Sequence, residues 1–287
     1  MSKVTVLGMG VMGSRMALSL LKAEHQVTVW NRNRDKTESL VKAGAKVADT
    51  PRAAVENAEF VISMVRDDEA SKQVWLNSET GALLGLPKNA VTIESSTLTV
   101  AWVKELAQQF SDRSFAFLDA LVAGTLPQAE AAQLIYFVGG DVETFTKAQP
   151  ILQTMGSSIH HAGAVGSGMT IKLAVNTLFG IQISALGELI GLIQGCGLDE
   201  TKAIEILTST PVCSPAAKGA AAGILARNFS PLFPIELVEK DLSYAVTTAQ
   251  ANGGKLPIAA ATQDTFSEAI QQGYGADNIT GIAQLYI

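Results

Sequence analysis

Cysteine and histidine are scarce in this sequence. Its 287 residues include only 2 cysteines, Cys196 and Cys213, and 3 histidines. The two cysteines lie in no paired motif and at no metal-ligand spacing, so the sequence offers neither a zinc site nor a disulfide framework. Reduced thiols of this kind are typical of a cytosolic protein, and we predict no bound metal.

Positive charge is also in deficit. The chain carries 21 lysines and arginines against 27 aspartates and glutamates, which gives a formal net charge of -6. This balance excludes a general attraction to nucleic acid or to an anionic membrane surface. An anion that binds this protein must therefore be held by a local site.

A long unbroken apolar run is missing as well. The most apolar stretch, residues 168–197, is interrupted by side chains that would be costly facing lipid, so we predict a buried helix and no membrane association. The first residues run into an apolar strand without the features of a secretory signal, and we expect a cytoplasmic location. The interrupting side chains are Lys172, Asn176, Gln182, Glu188 and Gln194.

What the sequence does contain is an alternation of strand and helix patterns. Short apolar strands at 3–8 and 27–30 enclose a stretch with helical spacing, and further pairs follow up to the strand at 135–140. Such alternation predicts a mostly parallel sheet covered by helices, whereas the rest of the chain is almost wholly helical in pattern. We predict an α/β domain over 1–163, with a doubly wound parallel sheet, and an all-α domain over 164–287 built on a long interdomain helix.

The first strand ends in the hexapeptide GMGVMG. It matches the G-x-G-x-x-G fingerprint of the Rossmann fold in its required context, after a strand and before a helix. The first glycine permits a tight turn, the second lets a pyrophosphate approach the backbone, and the third lets the helix pack closely on the sheet. The N–H groups at the start of the helix would bind the phosphates. The predicted dinucleotide site comprises Gly8, Met9, Gly10, Val11, Met12 and Gly13.

The residues after the second strand concern the choice of cofactor. An NAD site would place an acidic residue about 20 residues beyond the glycines, but this chain has Asn31 and Arg32 there. Without a carboxylate to repel it, a 2′-phosphate could pair with the Arg32 guanidinium, with Asn31 nearby, so we predict a preference for NADPH over NADH. The alternative is a solvated basic loop, in which Arg32, Arg34 and Lys36 are ordinary surface residues.

A second group of polar residues lies in the long apolar helix. Lys172 and Asn176 are four residues apart, which places both on one face of the helix. A lysine among apolar neighbours risks desolvation unless it faces a cleft, and desolvation would lower its pKa towards the range that proton transfer requires. An amphipathic helix whose polar side faces water explains the spacing equally well.

The pattern as a whole resembles the β-hydroxyacid dehydrogenase superfamily, which contains 3-hydroxyisobutyrate dehydrogenase, tartronate semialdehyde reductase and the glyoxylate/succinic semialdehyde reductases. The likeness runs nearly from end to end, with motifs in the order and spacing of that family. These motifs are GMGVMGSRMALSLLKAEHQVTVWNR, ESSTL, DALVAG, GSGMTIKLAVN and EKDLSYA.

The resemblance implies roles for particular residues. The lysine that matches Lys172 is the catalytic acid and base of the family, and the asparagine that matches Asn176 helps to bind substrate. For the others, core packing, local hydrogen bonds or surface charge remain alternative explanations. Cofactor contacts are implied for Met64, Val65, Thr97 and Lys240, and substrate contacts for Ser96, Phe233 and Asp241.

One segment departs from the family pattern. Where the family reads D-x-P-V-S-G-G and binds the substrate carboxylate, this chain reads Asp-Ala-Leu-Val-Ala-Gly-Thr from residue 119. Ala123 lacks the serine hydroxyl, whereas the backbone N–H groups of Gly124 and Thr125 remain and Thr125 adds a hydroxyl. Val122, Ala123, Gly124 and Thr125 are the predicted substrate loop, which could accept a bulkier or less charged carbonyl or an imine.

The resemblance implies an NADPH-dependent reductase that interconverts a small aldehyde or keto acid and its hydroxy acid, with the substrate held in an interdomain cleft. It also implies a homodimer or a homotetramer. An imine reductase shares the architecture, although members of that branch usually replace the lysine that Lys172 matches. A non-catalytic module that only binds the cofactor is a further alternative.

Overall fold

The computed structural model describes residues 1–287. The chain forms two compact units, Met1–Lys172 and Leu173–Ile287, and each has a hydrophobic core of its own. The predicted boundary at residue 163 coincides with the end of the last strand of the first unit. The division between the compact units lies further on, inside a helix that begins at Ser167.

The first unit contains an eight-stranded sheet in the order β3-β2-β1-β4-β5-β6-β7-β8. All neighbouring strands are parallel except β6 and β7. The order from β3 to β6 is that of a doubly wound dinucleotide-binding sheet, so the predicted fold class is confirmed. The strands are β1 (Lys3–Leu7), β2 (Gln26–Trp30), β3 (Lys46–Val47), β4 (Phe60–Ser63), β5 (Val91–Glu94), β6 (Ala116–Ala123), β7 (Leu134–Gly140) and β8 (Gly156–Gly163).

Helices cover the sheet, and several begin at the capping residues that the sequence supplies. The side chains of Asp67 and Asp141, for example, accept hydrogen bonds from the N–H groups of Ala70 and Thr144 at the starts of two helices. The helices are α1 (Val11–Lys22), α2 (Glu38–Lys42), α3 (Pro51–Val55), α4 (Asp68–Leu76), α5 (Val100–Ser111), α6 (Leu126–Glu130) and α7 (Val142–Gln153), with 3-10 turns at Arg34–Thr37 and Ala82–Leu84.

The reversal of direction at β7 has a simple cause. Residues 124–133, which join β6 to β7, contain only the five-residue helix α6. A parallel connection requires a crossover of a dozen or more residues, so this link returns the chain antiparallel. Two strands were not predicted from the sequence, because β3 has only two residues and β8 is rich in serine and histidine.

The second unit is entirely helical, as predicted. Its core is formed by Ile183 and Ile190 on the long helix together with apolar residues of the four helices that follow, such as Leu242 and Phe266. The elements are α8 (Ser167–Gly195), which starts in the first unit, α9 (Glu200–Ser209), α10 (Pro215–Leu225), α11 (Ile235–Ala251), α12 (Pro257–Gln271) and a closing 3-10 turn at Ile279–Leu285.

Helix α8 is the one helix that is long and apolar enough, by length and composition, to cross a membrane. Of its most apolar window, 44% is buried inside the protein. The core helix of a soluble protein has the same length and composition, so these two properties carry no conclusion about a membrane.

Candidate functional site

The carboxyl ends of the central parallel strands form one row of residues in register. Leu7 pairs with Ser63, Ser63 with Glu94, and Glu94 with Asp119. In open α/β sheets ligands bind outside these strand ends, at the point where the strand order reverses. In this sheet that point lies between β1 and β4, and most of the predicted cofactor residues follow directly after these strands.

The glycine loop between β1 and α1 has the geometry of a dinucleotide cradle. Gly8 has a φ of +102°, and a Cβ there would lie 2.2 Å from the Met64 carbonyl oxygen. A Cβ at Gly13 would lie 1.9 Å from the Gly8 carbonyl oxygen, so both positions exclude any side chain. A Cβ at Gly10 would meet nothing within 4 Å. Packing inside the protein therefore does not require this glycine, as expected where a ligand approaches the backbone.

The start of α1 is suited to bind an anion. Its N-cap is Gly10, which has no side chain to cap the helix, and the first turn contains no acidic residue. The first N–H groups of a helix lack intrahelical partners and carry partial positive charge. The exposed Val11 and the half-buried Met12 belong to this turn, whereas Met9 is buried. These features fit the pyrophosphate of a nicotinamide dinucleotide.

The loop after β2 is tied to the glycine loop by Asn31. The Asn31 Oδ1 accepts a hydrogen bond of 2.8 Å from the Met9 N–H, and the Asn31 Nδ2 donates one of 2.7 Å to the Asn33 carbonyl. Arg32 is exposed and takes part in none of the ion pairs of the loop, whereas Arg34 pairs with Asp49. Asn31 thus positions the backbone, and of the two arginines Arg32 is the one not engaged by a carboxylate.

The ends of β4 and β5 supply the predicted wall beside the cofactor. Met64 and Val65 are half-buried. Both lie close to Gly8, since a Cβ at Gly8 would lie 2.2 Å from the Met64 carbonyl oxygen and 3.1 Å from Val65 Cγ1. The Val65 N–H donates to the Ser96 hydroxyl at 2.7 Å, and Ser96 is fully buried. A substrate contact for Ser96 stays a prediction, and the half-buried Thr97 follows it in sequence.

Glu94 organises this wall and was not singled out from the sequence. Its side chain is fully buried and accepts hydrogen bonds from the Ser71 hydroxyl, the Trp75 Nε1–H and the Ser96 N–H, at 2.8, 2.8 and 3.0 Å. Burial raises the pKa of the Glu94 carboxyl, and the hydrogen bonds from these donors oppose the rise. The available signal was an acidic residue at the end of an otherwise apolar strand.

The predicted substrate loop is less open than its sequence suggested. Both the N–H and the hydroxyl of Thr125 donate to the Gln128 Oε1, at 3.0 and 2.8 Å. Thr125 is the N-cap of α6, and the spacing Thr-x-x-Gln is a readable capping signal. Val122 is buried in the core of the first unit, whereas Ala123 is half-buried and Gly124 is exposed.

The start of α8 is held by Asp119, a second residue that was not singled out. Asp119 is fully buried on β6, and its two carboxylate oxygens accept hydrogen bonds of 2.8 Å from the N–H groups of Gly166 and Met169. Burial raises the pKa of the Asp119 carboxyl to about 6, although these N–H bonds lower it. Lys172 follows on the same helix and is half-buried.

In the second unit, Asn176 belongs to a buried polar cluster. Its Nδ2 donates a hydrogen bond of 2.6 Å to Asp241 Oδ2, and both side chains are buried. Asp241 Oδ1 lies 3.3 Å from the Lys240 Nζ, which also lies 5.0 Å from the centre of the Tyr244 ring. Asp241 therefore orients Asn176 and pairs with Lys240.

Phe233 lies immediately before Pro234, the N-cap of α11. It is half-buried and packs against the core of the second unit, and its N–H donates to the Asn278 Oδ1 at 3.0 Å. Core packing accounts for this position, and a substrate contact for Phe233 stays a prediction.

Comparison with known protein families agrees with this geometry. Residues 3–163 match the family described as the NAD binding domain of 6-phosphogluconate dehydrogenase. Residues 166–286 match the family described as NAD-binding of NADP-dependent 3-hydroxyisobutyrate dehydrogenase. The chain belongs to the β-hydroxyacid dehydrogenase superfamily. As a member of this superfamily it is an oxidoreductase that acts on CH–OH groups and binds a nicotinamide cofactor.

Individual members of the β-hydroxyacid dehydrogenase superfamily align over nearly the whole chain. The chain is 32% identical to the chloroplastic glyoxylate/succinic semialdehyde reductase 2 of Arabidopsis thaliana, over 97% of this chain and 77% of the relative. The structure of Mycobacterium tuberculosis 3-hydroxyisobutyrate dehydrogenase with L-serine has a TM-score of 0.91 and 25% identity, and 99% of each chain is covered. An imine reductase of Myxococcus stipitatus in complex with NADP+ has a TM-score of 0.66 and 25% identity, again over 99% of each chain.

Proposed function

We propose that this enzyme uses NADPH to interconvert a small aldehyde or keto acid and its hydroxy acid. The observation that carries the proposal is the placement of Lys172 and Asn176 one turn apart on α8, in a chain that also has the dinucleotide cradle. The name of the Arabidopsis relative, a glyoxylate and succinic semialdehyde reductase, supports the same class of substrate.

A nicotinamide cofactor held at the glycine loop would supply the hydride for reduction of the carbonyl carbon. The Lys172 ammonium donates a proton to the oxygen as negative charge develops there, and the product is a hydroxyl group and neutral Lys172. In the reverse direction neutral Lys172 accepts the hydroxyl proton. Asn176 orients the oxygen, because the hydrogen bond from its Nδ2 to Asp241 fixes the plane of the carboxamide.

Other residues hold the two ligands in this proposal. The first turn of α1 would bind the cofactor phosphates, and Met64, Val65 and Thr97 would line the cofactor at the ends of β4 and β5. A cofactor contact for Lys240 and substrate contacts for Ala123 and Gly124 complete the proposed assignment.

The first test is the removal of the proposed proton donor. Loss of a general acid typically costs about 10²–10⁴ in rate, so Lys172→Ala should reduce kcat by that factor while NADPH still binds. Turnover is measured as NADPH oxidation, and binding by the fluorescence of the bound cofactor. The matched control is Lys218→Ala, an exposed lysine on α10. Near-normal turnover of Lys172→Ala would overturn the proposal.

A second candidate, imine reduction, is favoured by the substrate loop. Ala123 offers no hydroxyl, and Gln128 occupies both donors of Thr125, so few groups remain to bind a carboxylate. The fold likeness to the Myxococcus imine reductase is compatible with this candidate. A screen of glyoxylate, succinic semialdehyde, uncharged aldehydes and cyclic imines distinguishes the two activities, and tight NADPH binding without turnover would indicate a non-catalytic module.

We also propose that the enzyme is a cytoplasmic homodimer or homotetramer. Helix α8 exposes Val175, Leu178, Leu189 and Leu192, at spacings that place them along one face. A second copy of the chain would cover this apolar face. Light scattering coupled to size-exclusion chromatography measures the subunit number, and a monomer at micromolar concentration would contradict this assignment.

A further inference from the structure

Asp119 occupies a site built for a carboxylate. A Cβ at Gly139 would lie 2.3 Å from Asp119 Oδ1, and a Cβ at Gly168 would lie 3.0 Å from Asp119 Oδ2 and 2.7 Å from its carbonyl oxygen. Gly139 on β7 and Gly168 on α8 thus lie where any side chain would displace the Asp119 carboxylate. The carboxylate is excluded from solvent, and both oxygens are occupied by backbone N–H groups.

These N–H groups belong to the start of the helix that carries Lys172. The first N–H groups of a helix have no partner within the helix, and Asp119 supplies the missing acceptors from a neighbouring strand. Gly166 precedes α8 and Met169 lies in its first turn, so the two bonds fix both the position and the rotation of the helix start. Lys172 follows Met169 by less than one turn.

Asp119 also lies on the strand that leads into the substrate loop. β6 runs without a break from Ala116 to Ala123, and Asp119 pairs in register with Gly139 of β7. A rigid strand therefore connects the acid to Ala123. The same carboxylate fixes the start of the lysine-bearing helix relative to this strand.

We propose that Asp119 is the positioning residue for Lys172, holding the start of α8 in register with the strand that ends in the substrate loop. This inference rests on the proposed role of Lys172. An error of about 1 Å in a reacting group can cost about 100-fold in rate, which is the scale on which Asp119 acts. Asp119 itself contacts no substrate in this role.

The ionised form of Asp119 is the one that holds the helix, because a protonated carboxyl would point an O–H at one of the two N–H donors. Because burial raises the pKa of the Asp119 carboxyl to about 6, the ionised form is lost just below neutral pH. Activity is therefore expected to fall as the pH decreases through about 6. The titratable groups on the elements around Asp119 are Glu94 on β5, Lys104 and Glu105 on α5, Tyr136 on β7, His160 and His161 on β8, and Lys172 and Glu188 on α8.

The test is Asp119→Asn, which keeps the volume but turns an amide N–H towards a backbone N–H. We expect kcat to fall about 10- to 100-fold with NADPH binding unchanged, and the acidic limb of the pH profile of kcat near pH 6 to disappear. Asp141→Asn, at the N-cap of α7, is the matched control and should retain both the rate and the limb. Equal behaviour of the two variants would overturn the proposal.

Two further measurements test the positioning role of Asp119. Should Asp119→Asn not fold, hydrogen exchange of the wild-type amides at Gly166 and Met169 is compared at about pH 7 and about pH 5, after correction for intrinsic rates. Protection that does not decrease at the lower pH would refute the positioning role. The Lys172→Ala variant separates the two hypotheses: if it is inactive while Asp119→Asn resembles Asp141→Asn, only the role of Asp119 fails.

Discussion

At the scale of single residues, the least expected feature is that two buried acidic side chains in apolar strands hold neighbouring groups in place. Glu94 and Asp119 lie side by side in register on β5 and β6, and both are fully buried with hydrogen-bonded carboxylates. Burying a carboxylate is costly unless such bonds compensate. Each acid fixes backbone or hydroxyl groups that lead directly to a predicted site residue, Ser96 in one case and Lys172 in the other.

Arg32 carries the predicted choice of cofactor. In the Arg32→Ala variant we expect the ratio of kcat/KM for NADPH to that for NADH to fall about 10- to 100-fold, the worth of a charged hydrogen bond to the 2′-phosphate. Arg34→Ala is the control, because Arg34 already pairs with Asp49. Steady-state kinetics with both cofactors check this, and an unchanged ratio in Arg32→Ala would leave the loop as a solvated basic surface.

At the scale of elements, the ends of β4 and β5 act together. Glu94 holds Ser96, and Ser96 accepts the Val65 N–H beside the glycine loop. In Glu94→Gln the amide cannot accept from all three donors at once, so at least one of the Ser71, Trp75 and Ser96 contacts is lost.

We expect Glu94→Gln to weaken NADPH binding by about 2- to 10-fold, the range of a neutral hydrogen bond. Titration of cofactor fluorescence measures the dissociation constant. Glu69→Gln on the exposed side of α4 is the control, since the Glu69 carboxylate accepts a hydrogen bond from Gln73 on the same helix. Equal affinity in the two variants would show that the wall does not depend on Glu94.

The elements also show what could be predicted from the sequence. Three features are local patterns that were recognisable without knowledge of the neighbouring strands. They are the glycine hexapeptide, the alternation of strands and helices, and the apolar helix that carries Lys172. The roles of Glu94 and Asp119 depend on register and on which N–H groups lie opposite, and these are properties of the folded sheet. The short link 124–133 similarly decided the direction of β7 through its length and not through any residue type.

At the scale of the whole molecule, the raised pKa of Asp119 has opposite consequences for activity and stability. Its folded-state value of about 6 exceeds the ordinary 3.8, so the folded protein binds the proton more tightly than the unfolded chain. The contribution of this group to the free energy of unfolding therefore increases as the pH falls from about 7 to about 4, by on the order of 2 kcal/mol.

The difference between wild type and Asp119→Asn isolates this contribution, since other titrating groups are common to both. We expect the unfolding free energy of the wild type to increase relative to the variant as the pH falls below about 6, measured by urea denaturation. Over the same pH range we expect the activity of the wild type to fall as the pH decreases. A difference that does not vary with pH would show that the carboxyl pKa is not raised.

The continuous helix α8 has a practical consequence for protein engineering. Because the two compact units divide between Lys172 and Leu173, a chimera joined at that point would take the proposed proton donor from one parent and Asn176 from another. A graft that keeps the residues from Gly166 onwards together would transfer the lysine, the asparagine and both amides that meet Asp119 as one cassette. The recipient would then need an aspartate at the matching position of its sixth strand and a glycine at the position of Gly139 on its seventh strand.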